Sequence, residues 1–353
     1  MDKIYSLSLV LQAYLCICPI NCDAQTISFS KDPVVTIHSQ PAKYDPKIKP
    51  LFIGGVSRLA TYSGCAFSHQ SNLMAVVNLA AHTLEIYTWD PILHHAVLVN
   101  RVSRDDGLKL DQPVDVTFSS NDRLLFIANL GNGTVHAYAF DPMTYAIDLN
   151  PIQVIRNPID SFPHQVEAFL WNDEEYLGFV CGHPTSVLKI YKISSSSSLL
   201  RLDREINFKI DPKLKIKAFG FSPDRQYLVL AFGEGAKSYA SKIEQSEIQI
   251  FRVDKMMKIA SSPMVHIKTK GGYENLVFLK EDTFVISDQV LNQVIIYEIN
   301  GEKKSLQQIG RIDANAGHLS FPHGMGVSHD GKFLAITNHG SETTVIYEVI
   351  RHD

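Results

Sequence analysis

The sequence has little of most features that would assign it a class directly. Cysteine occurs five times in 353 residues, and Cys16, Cys18 and Cys22 fall in the first 25. Cys65 and Cys181 remain, too few and too widely spaced for a disulfide scaffold, a redox motif or a zinc site. Tryptophan occurs twice, and Gly (20) and Pro (16) stand at ordinary levels, which excludes collagen-like and low-complexity chains. Neither sign of charge dominates: 33 Lys and Arg face 37 Asp and Glu, a formal net charge of −4. That balance leaves no electrostatic footprint for nucleic acid. With 45% apolar and 20% charged residues, the chain is globular rather than disordered. Apolar runs long enough to span a membrane are missing, which excludes a polytopic membrane protein.

One short apolar run does occur. Lys3 precedes Ile4–Ile20, followed by Asn21-Cys22-Asp23-Ala24-Gln25. A basic start, an apolar stretch interrupted by Gln12, and small residues at Cys22 and Ala24 predict a signal peptide over residues 1–24. The sequence then divides into a lead-in segment, 25–48, and a single domain, 49–353. Export to the periplasm, the cell surface or the medium follows, with no transmembrane span once the signal is removed.

Internal repetition decides the fold. Six segments share one plan: a strand ending in Phe or Val, a polar turn, an apolar strand, a loop, and an alternating strand ending aromatic–x–apolar. The anchors are Phe67, Phe118, Phe169, Phe221, Phe278 and Val327, spaced about fifty residues apart. A longer interval before Phe278 reflects an insertion around Gly233–Ser246. Four strands per unit at this period predict an all-β propeller, because a lone four-stranded sheet cannot cover its own apolar faces. Six blades are countable. Leu51-Phe52-Ile53 stands unpaired before the first unit and is expected to complete the last blade, closing the ring. A seventh, degenerate blade from Thr26–Ser39 is the alternative. Cys65 and Cys181 then lie two blades apart, beyond disulfide reach.

The segment FPHGMGVSHDGKFLAITNHGSETTVIYEV resembles the repeat of the seven-bladed lactonase-family propellers, which include cytosolic 6-phosphogluconolactonases, and the related YVTN-type propellers. Phe321-Pro322-His323, Ser328-x-Asp330-Gly331, Asn338 and Thr344-Val345-x-Tyr347 carry the resemblance, with Asn129 and Thr134-Val135-x-Ala137-Tyr138 matching in the second unit. The resemblance spans roughly residues 50–350 and implies a lactone hydrolase only weakly. Six units instead of seven, and the signal peptide, depart from the cytosolic enzymes.

Repeated turn carboxylates (SSND, SPDRQ, SHDG) read as backbone-bonding turn formers. Propeller topology gathers a more varied set on one face, where the chain enters each first strand and leaves each second strand. His323, His164 and Glu167 are the catalytic candidates there. Asn129, His183, Asp288, Asn338 and His339 are the ligand-binding candidates. Asp115 and Glu274 also fall within first strands. A histidine near neutrality activates water on an ester carbonyl, and Asn129, Asn338 or His183 would donate to the oxyanion. Each has a structural alternative: His164 and His323 follow Phe-Pro and equally suit strand entrances, and Asn at a strand end is commonly a turn former. No cofactor is expected. A resemblance to regucalcin-like gluconolactonases, another propeller class, raises a channel calcium on Glu167, Glu274, Asp288 and Asn129 as its lesser alternative.

The sequence favours an exported, monomeric scaffold binding a protein, peptide or carbohydrate ligand on this face. The alternative is a lactonase-type hydrolase with a channel histidine as general base. His164, His323 and an acid drawn together would favour the enzyme, and scattered groups the scaffold.

Overall fold

The second strand of each repeat is the most continuously apolar, and it is buried along its whole length. Leu73–Asn78 and Leu124–Asn129 have no exposed position. Outer strands alternate instead, as in Leu200–Asn207, where exposed and half-buried residues follow Leu200. A sheet buried on both faces at its centre and wetted at its outer edge is what a propeller blade requires. The computed structural model describes residues 26–39, 51–53, 56–58, 61–158, 161–182, 186–208, 210–234, 245–313 and 318–352. Strands, turns and loops make up all of them.

Six antiparallel sheets radiate from a central channel. Their innermost strands are Tyr62–Phe67, Pro113–Phe118, Pro163–Trp171, Leu214–Phe221, Tyr273–Lys280 and Pro322–Val327, in blades 1 to 6. All six repeat anchors lie at or near the ends of these strands. The core is divided among the blade interfaces. One cluster joins blades 2 and 3 through Phe126 and Phe179, and another joins blades 4 and 5 through Phe284 and Ile248. A third joins blades 6 and 1 through Ala335 and Met74, so no interface is left open around the ring. Each fully buried Phe contributes about 1.5–3 kcal/mol.

Ring closure uses the N-terminal chain, but not the expected segment. Thr26–Phe29 pairs with the far half of Thr343–His352, matching Phe29 to Val349. Val35–His38 pairs with the near half, matching Ile37 to Thr344. Leu51–Ile53 instead forms a separate two-stranded hairpin with Val56–Arg58. The expectation for Leu51-Phe52-Ile53 is therefore corrected, and Thr26–Ser39 is the outer edge of blade 6 rather than a seventh blade. The last strand is ten residues long and needs two short partners to cover it.

The turn chemistry matches its reading. Ser68, Ser119, Ser222 and Ser328 each accept, through Oγ, the N–H five residues on, at 2.9–3.0 Å. Asp122 reaches across a blade boundary and accepts the N–H groups of His69 (2.7 Å) and Gln70 (2.8 Å). Cys65 and Cys181 are buried thiols outside any disulfide, as their placement two blades apart requires. No described helix is long and apolar enough to cross a membrane. The expected signal peptide lies outside the described residues.

Candidate functional site at the channel mouth

The innermost strands break register near their starts. Tyr62/Cys65, Pro163/Val166, Ile216/Ala218, Tyr273/Leu276 and Pro322/Met325 flank these irregularities. A bulge turns side chains out of the alternating pattern and commonly re-aims them toward a site. The residues set free here include His164, Lys217, Glu274 and His323, from four successive blades. In blades 6 and 1 the bulges also hold Gly324 and Gly64. A side chain at Gly324 would meet Ser63 O at 2.3 Å, and one at Gly64 would meet the Asp115 backbone at 2.4 Å. Glycine lets the inner strands of blades 6, 1 and 2 touch, which narrows the channel and crowds the polar groups together.

Those groups form one cluster. Lys217 Nζ donates to both oxygens of Glu274, each at 3.2 Å. Glu274 Oε2 also lies 3.7 Å from His323 Nε2. His323 Nδ1–H donates to Ser63 O at 3.1 Å, which fixes the tautomer with the Nε2 lone pair toward Glu274. His339 packs against His323 with ring centroids 4.1 Å apart. His164 is part-exposed, and its Nδ1 has no hydrogen-bond partner among the described residues.

Burial and the Lys217 charge set the protonation. Burial first, then Lys217, pushes the His164 imidazole down to about 3, with Glu274 opposing and His323 adding to the fall. Burial lowers His323 as well, Glu274 opposing it and Lys217 reinforcing it. His339 falls well below the ordinary histidine value through burial and its His323 neighbour. All three imidazoles are neutral at pH 7.

Other expected residues are placed differently. Asn129 Oδ1 accepts the Asp111 N–H, and Asn338 Oδ1 accepts the Ser320 N–H, both at 3.0 Å. Asn338 Nδ2 donates to His318 O (3.1 Å) and Thr343 Oγ1 (3.2 Å). Asp288 accepts from the Gly272 (2.9 Å) and Leu291 (3.1 Å) N–H groups and from Gln293 Nε2 (3.2 Å). These three side chains clamp strand ends to neighbouring loops. His183 lies outside the described residues.

Glu167 is separated from the histidines. It lines a 370 Å³ cavity at the opposite mouth, bounded by the first-to-second-strand turns. Burial raises its carboxyl to about 7, with Arg225 opposing. The acid beside the histidines is Glu274. Lys217, which carries no loop or turn signal, went unread in the sequence. Of the residues expected as a calcium set, Asn129 and Asp288 hold strand-end clamps, Glu274 is ion-paired to Lys217, and Glu167 lines the cavity at the opposite mouth. No described group of three or more His, Cys, Asp or Glu side chains is arranged to hold a metal ion.

No family model matches the sequence, and no curated protein matches it. Solved structures do. A 6-phosphogluconolactonase of Bacteroides uniformis, so assigned provisionally, aligns at TM-score 0.56 and 13% identity over 84% of this chain and 89% of its own. The periplasmic gluconolactonase PpgL of Pseudomonas aeruginosa aligns at 0.53 and 14%, over 73% and 71%. The chain is a six-bladed propeller with lactonase propellers among its structural neighbours. The Dos1 propeller is similar to the same extent, at 0.52 and 12% over 88% of this chain and 83% of its own. At these identities the likeness establishes the fold, and function rests on the side chains.

Proposed function

We infer that the channel mouth is a hydrolytic site for a small cyclic ester, an unphosphorylated sugar lactone being the class that suits it. The observation that carries this reading is the convergence, at inner-strand bulges, of neutral His164 and His323 on the buried Lys217–Glu274 pair. Neutral His323 Nε2 takes a proton from water as the water oxygen bonds to the lactone carbonyl carbon. Glu274, 3.7 Å away, stabilises the imidazolium that forms. Glu274 engages two of the three ammonium protons of Lys217. The third is left for the carbonyl oxygen as it becomes an oxyanion. The ring C–O bond then breaks, and the departing alkoxide recovers the proton from His323. His164 Nδ1 offers a further contact to a substrate hydroxyl. Export through residues 1–24 would bring the protein to substrates outside the cytosol.

The test is hydrolysis of a panel of unphosphorylated sugar lactones by the purified chain, beside His323→Asn and His164→Asn. The reading expects turnover that falls at least about 10²-fold in His323→Asn with folding intact. Turnover no faster than the uncatalysed reaction would overturn it. The scaffold reading then takes over, with its contact moved from the histidine face to the opposite one, where Ile92 (87% exposed), Leu93 (73%), Met143 (82%) and Met256 (78%) stand at outer-hairpin tips.

A further inference from the structure

By strand register Glu167, opposite Gly178, occupies the position that is Ala66, Thr117, Gly220, Val277 and Gly326 in the other five blades. A carboxyl stands where every other blade has a small, uncharged residue, and it does so beside a cavity. The cavity is 370 Å³, at the small end of the range for ligand pockets, and the ends of all six inner strands contribute to it.

Its polar groups are not satisfied by one another. Glu167 Oε2 is buried without a hydrogen-bond partner among the described residues. So is Asn275 Oδ1, on a side chain 3% exposed. Both are acceptors awaiting donors. Arg225 supplies a positive charge at the same cavity. Among the described residues its guanidinium donates one long hydrogen bond, from Nη1 to Ser222 O at 3.5 Å, and lies 5.7 Å from the centroid of the Phe169 ring. It forms no ion pair with Glu167, although the two are close enough to shift each other's ionisation. Arg225 also adopts a left-handed backbone, φ 62°, where blade 6 has Gly331. An arginine costs more than glycine in that conformation, so the position is not explained by the turn. Between the charges the walls are apolar, with Phe169, Phe221 and Phe278 foremost.

An unpaired cation, an acid and a bare amide oxygen around an aromatic wall are complementary to one kind of small molecule. We propose that this cavity binds a free α-amino acid with an apolar side chain. Its ammonium donates to Glu167 and Asn275 Oδ1, its carboxylate pairs with Arg225, and its side chain packs against the phenylalanines. This site is independent of the hydrolytic one at the other mouth.

Calorimetric titration of the purified full-length chain tests the proposal with L-leucine and L-phenylalanine, and with isoamylamine and isocaproate as one-armed controls. The amino acids are expected to bind at least tenfold more tightly than either control. Glu167→Gln should weaken leucine about tenfold and leave isocaproate unchanged. Arg225→Gln should do the converse, weakening leucine and sparing isoamylamine. His323→Asn should leave leucine binding intact, which separates this site from the hydrolytic one. Circular dichroism and thermal unfolding of each variant guard against misfolding. No amino-acid binding at millimolar concentration would overturn the proposal, as would one-armed controls binding equally well.

Discussion

The two mouths of the channel handle buried charge in opposite ways. At one, Lys217 and Glu274 neutralise each other, and the imidazoles around them are driven toward their uncharged form. At the other, Glu167 and Asp115 are held toward their protonated form, chiefly by burial, and Arg225 is not paired with either. The same six strands pass through both. The difference comes from the bulges, which rotate His164, Lys217, Glu274 and His323 to one end and leave Glu167 facing the other. A paired site is prepared to move a proton, and an unpaired one is prepared to receive a charged ligand.

The comparison breaks most visibly if the ion pair is cut. Lys217→Met leaves Glu274 buried without its ammonium, and urea denaturation at pH 7 should show a loss of about 3–5 kcal/mol. Adding Glu274→Leu should recover much of that loss. His323→Asn comes next, with lactone turnover falling at least about 10²-fold while stability changes by less than about 1 kcal/mol. Because burial and Lys217 lower His323, turnover should fall on acidification with a midpoint below the ordinary histidine value of about 6.5. A fall centred near pH 6.5 would contradict the assignment. Asn338→Ala removes a strand-end clamp and should cost about 1–2 kcal/mol in the same denaturation experiment, with no specific effect on turnover.

The smallest effect sharpens the contrast through pH. The folded pKa of His164, about 3, lies below its unfolded value, so its contribution to stability is present above about pH 6.5 and is lost as pH falls toward 3. The folded pKa of Glu167, about 7, lies above its unfolded value, so its contribution is present below about pH 4.5 and is lost as pH rises through 7. Glu167→Leu removes a carboxyl that no other blade has at this position. It should raise stability at pH 8 by about 1 kcal/mol, a modest gain because the side chain is partly exposed, and change nothing at pH 4. Thermal unfolding at the two pH values reads the difference.

The repeat made the blade plan legible, since a fifty-residue period of apolar strands has few other solutions. Closure was legible in principle but not in detail. Leu51-Phe52-Ile53 is the more apolar segment, yet pairing with the last strand depends on register and reach, which Thr26–Phe29 and Val35–His38 satisfy together. His164, His323 and His339 were readable because first-strand entrances and second-strand ends fall on one face. Asn129, Asn338 and Asp288 share that face, but the nearby loop N–H groups that take up their acceptors are distant in sequence. Glu167 was misplaced because strand alternation alone cannot show a bulge three residues upstream. Its true equivalents, Ala66, Thr117, Gly220, Val277 and Gly326, are uncharged, but matching the blades by their anchors sets blade 3 one residue out of line and hides the contrast.

Histidine-resolved NMR titration tests the central claim most directly, that a buried ammonium–carboxylate pair keeps neutral imidazoles at the channel mouth. The ring signals of His164 should remain those of neutral imidazole down to about pH 5, and those of His323 should titrate below the ordinary histidine value. Titration of His164 or His323 at or above about pH 6.5 would contradict the account.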